Sequence, residues 1–388
     1  MIGIFLPPAA LDVSKIKYAL KIISIFDKQQ YEGKIIIFVH RKDIELLQNH
    51  VNYIYIKEFG FSNIQRKIQK VRKILNFKSS IDYNITIEKY EVKFAIFLTP
   101  MNNIVHCSIP YAASFQSLGH RLNPELPETT KNGRWKLCED ASSAVCNNAK
   151  VIFIDSDVGK KYLDFYYHQK GKVFVVPHNS HEVLNIDVDK VTQRKILNKF
   201  NVSNDFLFYP AQFWPHKNHV RILEALIYLK GKSVDLQLVF TGSSKAIREE
   251  YNVEYMLKRI AKDSNMEKNL IITGYLEYNE MKTLYLNALA MIMPQLIPEP
   301  CIPIAEAMSL GCPVLTSKIP GLMDQVKDSG ILVNPYDIES IANGIELLLD
   351  TKKRGILIKK GLEYYRSTEK SLDKIFLQIE NRIISYLN

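Results

Sequence analysis

From about residue 205 onward, short apolar runs alternate with segments of helical period. "FLFYPAQF" is followed by "NHVRILEALIYLK", "LQLVFTG" by a charged helix over 245–263, and "NLIITG" by "YNEMKTLYLNAL". "AMIMP" leads into a short helix, and then come "PVLTS", "GILV" and "IESIANGIELLLD". Alternation of this kind predicts βαβ units, in which a parallel sheet carries helices on its faces. The first half repeats the pattern less tidily. Strands are expected near 2–6, 34–40, 52–56, 93–98, 103–108, 151–155 and 173–176, and helices near 13–29, 62–76, 137–148 and 158–168. The alternation breaks in "VVPHNSHEVLNIDVDK" (175–190), where polar residues gather. The expected architecture is α/β: two doubly wound Rossmann-like domains, 1–183 and 184–370, facing each other across a cleft. The amphipathic last helix, 371–388, is expected to pack back on the first domain.

Composition narrows the class. An apolar content of 47% with 11% aromatics belongs to a folded globular chain. No apolar run reaches the roughly 18 residues that a membrane span needs. The start, "MIGIFLPPAALDV", has no basic region ahead of an apolar one and reads as a first strand, not a signal peptide. The five cysteines form no CxxC pair, which argues for a reducing compartment and against a disulfide framework or a zinc site. A cytoplasmic protein is the expectation. The net charge of +10 is concentrated in the first half. In "KEFGFSNIQRKIQKVRKILNFK" (57–78), Ile64, Ile68, Val71 and Leu75 make an apolar stripe, with Arg66, Lys67, Lys70, Arg72 and Lys73 largely off it. Two readings stand: a surface helix packed by one face, or a helix resting peripherally on an anionic membrane surface. No helix-turn-helix, zinc or RNP signature accompanies the charge, which argues against nucleic acid. No GxGxxG follows an expected strand, which argues against a dinucleotide fold of the NAD type.

Candidate chemistry gathers in two stretches. In "PEPCIPIAEAMSLGCPVLTS" (298–317), Pro303 suits the first position of a helix and Gly311 the position just past its end. The amides from Cys301 to Ile304 would then point out of the C-terminal edge of the preceding strand, where open α/β sheets bind ligands and where a helix N-terminus favours an anion. Glu306, one turn in, suits two hydrogen bonds from vicinal ribose hydroxyls, whereas Glu299 lies on the loop. The plainer alternative is that Glu306 accepts from helix-terminal amides and Glu299 is solvated. In "YPAQFWPHKNH" (209–219), Lys217 stands at a strand-to-helix turn, where an ammonium suits a diphosphate as a point charge. Asp155-Ser156-Asp157 forms a DxD at a strand end that could hold a divalent cation, but Asp157 also suits a helix N-cap. His178 and His181 read as polar residues of the linker, and His216 and His219 as structural or cleft-lining groups.

Together the two stretches resemble the retaining glycosyltransferases of the GT-B fold, glycosyltransferase family four (glycosyl transferases group 1). The order "VFTG", "ITGYLEYNEMKTLYLNA", "EAMSLGCPVLTS" and "GILVNPYDIESIA" carries the likeness. "SLGHRLNPELPE" (117–128) and "VIFIDSDVGKKYLDFYY" (151–167) extend it into the first half. The resemblance implies a nucleotide-sugar donor held by the second domain, a glycan or lipid-linked acceptor, and no required metal or other cofactor. By the same likeness, Glu306 is the acid that binds the ribose, and Cys301, Ile302 and Pro303 line the phosphate or sugar. Glu299 approaches the transferred sugar, Lys217 neutralises the diphosphate, and His120 stands beside the sugar from the first domain. The chain departs from the family in having six residues between the glutamates instead of seven, and Gln212 where an arginine is usual. Arg221, one helical turn past Lys217, is the expected compensating cation, and the loops at Gly242 and Tyr275 are expected to meet the base. The implied activity is a retaining sugar transfer in cell-surface polysaccharide assembly. The rivals are a nucleotide-sugar epimerase or phosphorylase of the same fold, and a nucleotide-sugar-binding scaffold without transferase activity.

Overall fold

A computed structural model describes residues 1–6, 13–39, 44–48, 51–58, 83–98, 107–115, 118–169, 171–177, 183–202, 205–242 and 252–387. The expected basic helix at 62–76, most of the expected strand at 103–108, and His178 and His181 lie outside these residues. The chain divides into two compact units, Met1–Pro177 with Leu372–Asn388, and His178–Ser371.

The first unit holds a parallel sheet of strands β1 (Ile2–Phe5), β2 (Ile35–Val39), β3 (Tyr55–Glu58), β4 (Phe94–Phe97), β5 (Tyr111–Ser114), β6 (Val151–Ile154) and β7 (Lys172–Val175), in the order β3-β2-β1-β4-β5-β6-β7. Period-two geometry explains why "IIIFV" has no polar member. Ile35, Ile37 and Val39 enter one core, and Ile36 and Phe38 enter a second on the opposite face. Strand β5 was not expected from the pattern, because "IPYAAS" is short and rich in small residues.

The second unit holds β8 (Phe206–Pro210), β9 (Gln237–Thr241), β10 (Leu270–Ile272), β11 (Ala290–Met293), β12 (Val314–Ser317) and β13 (Gly330–Val333), in the order β10-β9-β8-β11-β12-β13. All its pairings are parallel. The helix Val253–Asp263 is the described part of the helix expected over 245–263. The last helix does not begin at 371: a single helix, Thr351–Ile384, runs through that position. Its far end belongs to the first unit, where Leu372, Ile379 and Ile383 enter the core and Glu380 accepts from Lys28 Nζ (2.5 Å), Gln30 Nε2 (3.0 Å) and Tyr31 OH (2.6 Å). Among the described residues, no helix is long and apolar enough to cross a membrane.

Candidate active site

In the second unit, β8 has β9 on one side and β11 on the other, so the chain order reverses there. The loops leaving the C-terminal ends of β8 and β11 start from that point, the place where open α/β sheets bind ligands. One loop carries Lys217 and the other Glu299 and Cys301. The two are stitched together: Leu296 N–H donates to His216 O (2.8 Å), and Lys217 Nζ donates to Gln295 Oε1 (2.6 Å) and lies 3.9 Å from Cys301 Sγ. Tyr209 OH donates to Lys217 O (2.8 Å), which fixes the lysine's backbone to β8.

Gln295 is buried, and its amide nitrogen donates to Ile297 O (2.9 Å) and Glu299 O (2.8 Å). One side chain thus shapes the Glu299 loop and holds the lysine. Glu299 itself is half-buried. Asn218 makes a second clamp. In the left-handed region (φ 63°), it donates to Pro294 O (2.8 Å) and Pro335 O (2.7 Å), joining the loops after β8, β11 and β13. An asparagine tolerates that conformation better than most residues, which is the one sequence signal it offered. Gly321 (φ +88°) follows β12, and a Cβ there would stand 2.3 Å from Pro298 O, so only glycine lets these loops approach.

The helix after the Glu299 loop is Ile302–Ser309, and Pro303 is its second residue. The expected row of open amides is shorter than the sequence suggested. Cys301 N–H donates to Gln325 Oε1 (2.9 Å), while Gln325 Nε2 donates to Cys301 O (2.7 Å). Ile304 N–H turns back to Cys301 O (3.2 Å), and Pro303 has no N–H at all. Glu306 is 3% exposed, and its Oε2 accepts from Tyr285 OH (2.9 Å). Burial first, and then the charge of Glu306, push the Tyr285 phenol well above its usual range, so it is the donor in this pair.

Tyr275 is 66% exposed at the same sheet edge, and Gln212 Nε2 reaches its hydroxyl at 3.4 Å. Trp214 Nε1 holds the other end of the Gln212 amide (2.8 Å). Gly242 N–H donates to Gly274 O (3.0 Å), which places these two loops side by side. Arg221 Nη1 donates to Asn218 Oδ1 (3.0 Å), and its guanidinium lies 5.7 Å from the centre of the Tyr336 ring. His219 is part of the core, with its ring against Tyr209, Phe213 and Phe240 at centroid distances of 4.7, 4.8 and 4.9 Å.

In the first unit, His120 lies on the short helix Gly119–Leu122 and is buried beside Glu139. The Asp155–Asp157 stretch differs from expectation. Ser156, not Asp157, caps the helix Asp157–Tyr167, accepting from Gly159 N–H (3.1 Å). The serine hydroxyl reaches the third amide because its backbone is extended, whereas Asp157 is already helical.

Sequence reasoning brought Lys217, Gln212, Gly242, Tyr275, Glu299, Cys301, Ile302, Pro303 and Glu306 to one sheet edge of the second unit. It missed Gln295, Asn218 and Gln325, which bond backbone groups of the surrounding loops, and Glu139, which is held by the side chains of His120, Arg121 and Tyr167.

Residues 189–363 match the family model described as glycosyl transferases group 1. A lipopolysaccharide 1,2-N-acetylglucosaminetransferase of Salmonella typhimurium is 27% identical over 261 residues, 65% of this chain and 61% of that protein. The O-antigen chain mannosyltransferase RfbU of the same organism is 25% identical over 188 residues, 48% of this chain and 50% of that one. The matched stretches therefore span less than two thirds of these relatives. Anabaena Alr3699/HepE, solved in complex with UDP and glucose, superposes with a TM-score of 0.73 at 15% identity, covering 99% of this chain and all of that one. Over residues 189–363 the chain is thus similar to the glycosyl transferases group 1, and its two parallel-sheet units share the GT-B fold.

Proposed function

We propose that the protein is a retaining, metal-independent glycosyltransferase that moves a sugar from a nucleotide donor to a glycan or lipid-linked acceptor in cell-surface polysaccharide assembly. The observation that carries this reading is the pairing, at the switch point of the second sheet, of the Lys217 ammonium with the helix that starts at Ile302 and carries Glu306. A cation and a helix N-terminus at one sheet edge suit a diphosphate, and a buried carboxylate one turn further suits a ribose. Departure of the nucleoside diphosphate builds negative charge on the leaving oxygen. Lys217, already oriented by Gln295, stabilises that charge without reorganising, which is where such a site gains most of its rate. Glu299 and His120 orient the transferred sugar, and Gln212, Gly242 and Tyr275 face the base. The similarity to lipopolysaccharide and O-antigen transferases supports a glycan or lipid-linked acceptor. The HepE complex makes a UDP-sugar the first donor to try.

The test is binding and slow hydrolysis across UDP-, GDP-, dTDP- and ADP-sugars, with and without EDTA, for the wild type, Lys217→Ala and Glu306→Ala. One donor is expected to bind and to turn over in EDTA. Each substitution removes charge-assisted hydrogen bonds of about 1.5–3 kcal/mol, so donor affinity should fall roughly 10- to 150-fold. Turnover that dies with EDTA and survives both substitutions would move the site to Asp155 and Asp157. Anomeric configuration of the product, read by NMR once an acceptor is found, tests retention.

A further inference from the structure

Three elements of the first unit converge on one carboxylate. The helix Arg134–Asn148 supplies Glu139, the helix Gly119–Leu122 supplies His120 and Arg121, and the helix Asp157–Tyr167 supplies Tyr167. Arg121 grips Glu139 with two nitrogens, Nη2 on Oε1 and Nε on Oε2 (2.8 Å). Tyr167 OH donates to Oε2 (2.8 Å), and His120 Nε2 lies 3.0 Å from the same oxygen. Trp135, one turn before Glu139, meets the His120 ring edge-on at 5.9 Å. We propose that Glu139 is a positioning residue: held by Arg121 and Tyr167, it takes the Nε2–H of His120 and fixes that ring as a single neutral tautomer, so that Nδ1 is the acceptor offered to a sugar hydroxyl. The inference rests on the reading above that His120 stands at the sugar.

The geometry also decides against a proton-abstracting pair. A histidine–carboxylate couple gathers protons when the carboxylate's charge is unmatched, and here Arg121 already matches it. A cationic His120 would stand buried beside that same guanidinium. Burial first, opposed by Glu139 and seconded by Arg121, accordingly lowers the His120 pKa from its ordinary value. Burial alone would raise the Glu139 carboxyl, but hydrogen bonds from Arg121, Tyr167 and His120 outweigh it and hold the group at about 2. An ionised carboxylate only accepts, and a neutral imidazole has one N–H, so Nε2 must carry the proton and Nδ1 the lone pair. Tyr167, its phenol raised chiefly by burial, stays a donor. The nearby Cys146 thiol is raised to about 12, by burial first and then by Glu139, and carries no competing charge.

The tautomer can be read without any ligand. In protein labelled with ¹⁵N-histidine, two-bond proton–nitrogen spectra distinguish the two neutral forms, and the difference from His120→Gln picks out one of the nine histidines. The wild type at pH 7 should show His120 protonated on Nε2 alone; an Nδ1–H form or a cationic ring overturns the inference. Glu139→Gln and the milder Tyr167→Phe should mix the tautomers. In hydrolysis of whichever panel donor turns over, Glu139→Gln should lower kcat about 10- to 100-fold, the range for loss of an orienting partner, with KM within about twofold. Glu139→Asp, which keeps the carboxylate, should recover part of the loss. Full activity in His120→Gln would sink the placement of His120 at the sugar. An impaired His120→Gln beside a fully active Glu139→Gln would leave that placement standing and sink the role of Glu139.

Discussion

His219 gives the second unit a pH-dependent stability whose size follows from the structure. Burial among Tyr209, Phe213 and Phe240, with smaller contributions from the charges of Lys217 and His216, lowers its pKa from 6.5 to about 3. It also begins the helix His219–Gly231, whose N-terminal dipole opposes a second positive charge. The folded value lies below the unfolded one, so as pH falls through about 6.5 the unfolded chain takes up a proton that the folded chain refuses. Stability is therefore complete above that pH and is lost progressively down to about pH 3. Proton linkage puts the loss between pH 7 and pH 5 at about 2 kcal/mol. With a urea m-value of about 2 kcal/mol/M, the unfolding midpoint should drop by about 1 M. Glu139, held at about 2, titrates below this window, and His120, also lowered, belongs to the first unit. The chain has two tryptophans, so Trp135→Phe leaves Trp214, five residues from His219, as the fluorescent reporter of the second unit. In that background His219→Leu should flatten the dependence between pH 7 and pH 5 to a few tenths of a kcal/mol. Parallel slopes with and without His219 would refute the reasoning.

Gly321→Ala places a Cβ 2.3 Å from Pro298 O at φ +88°, so it should destabilise the unit by roughly 1–3 kcal/mol and weaken donor binding, seen in urea melts and by titration calorimetry. Gln295→Leu removes the acceptor of Lys217 and the donor to Ile297 and Glu299, and donor affinity should fall at least tenfold; Gln295→Glu, which cannot donate to those carbonyls and sets a negative charge beside Lys217, should fall at least as far. Glu380→Ala strips Lys28, Gln30 and Tyr31 of a shared acceptor and should cost roughly 2–4 kcal/mol. Hydrogen exchange should report that loss in β1 and β2 and leave β8 and β11 protected.

The α/β class was legible because parallel strands buried on both faces are written as unbroken apolar runs, and "IIIFV" or "AMIM" admit few other readings. The C-terminal edge of the second sheet was legible too, since each strand's C-terminal end is fixed by the helix that follows it. The details that failed depend on tertiary partners. Nothing near Cys301 announces that Gln325, twenty-four residues on, will take its amide. Nor does the sequence around Arg221 announce its contacts with Asn218 and the Tyr336 ring. Ser156 and Asp157 are both good caps by type, and only the position of the first helical turn separates them.

The loop between the two glutamates is held by two glutamines from outside it. The segment from Ile297 to Cys301 lies outside strand and helix and does not satisfy all of its own backbone groups. Gln295 and Gln325 supply the missing partners from outside it. Gln295 serves the carbonyls of Ile297 and Glu299, and Gln325 serves both the amide and the carbonyl of Cys301. Cys301 O also accepts from Ile304 N–H, so without the glutamines the groups losing these partners outright are Ile297 O, Glu299 O and Cys301 N–H; at about 1–3 kcal/mol for each buried group left unpaired, the loss would favour another loop shape. Both glutamines are neutral, so they hold the loop without adding charge beside the Lys217 ammonium. The loop that carries Glu299 is thus set by the neutral side chains of Gln295 and Gln325, with the Lys217 ammonium bonded to the first of them.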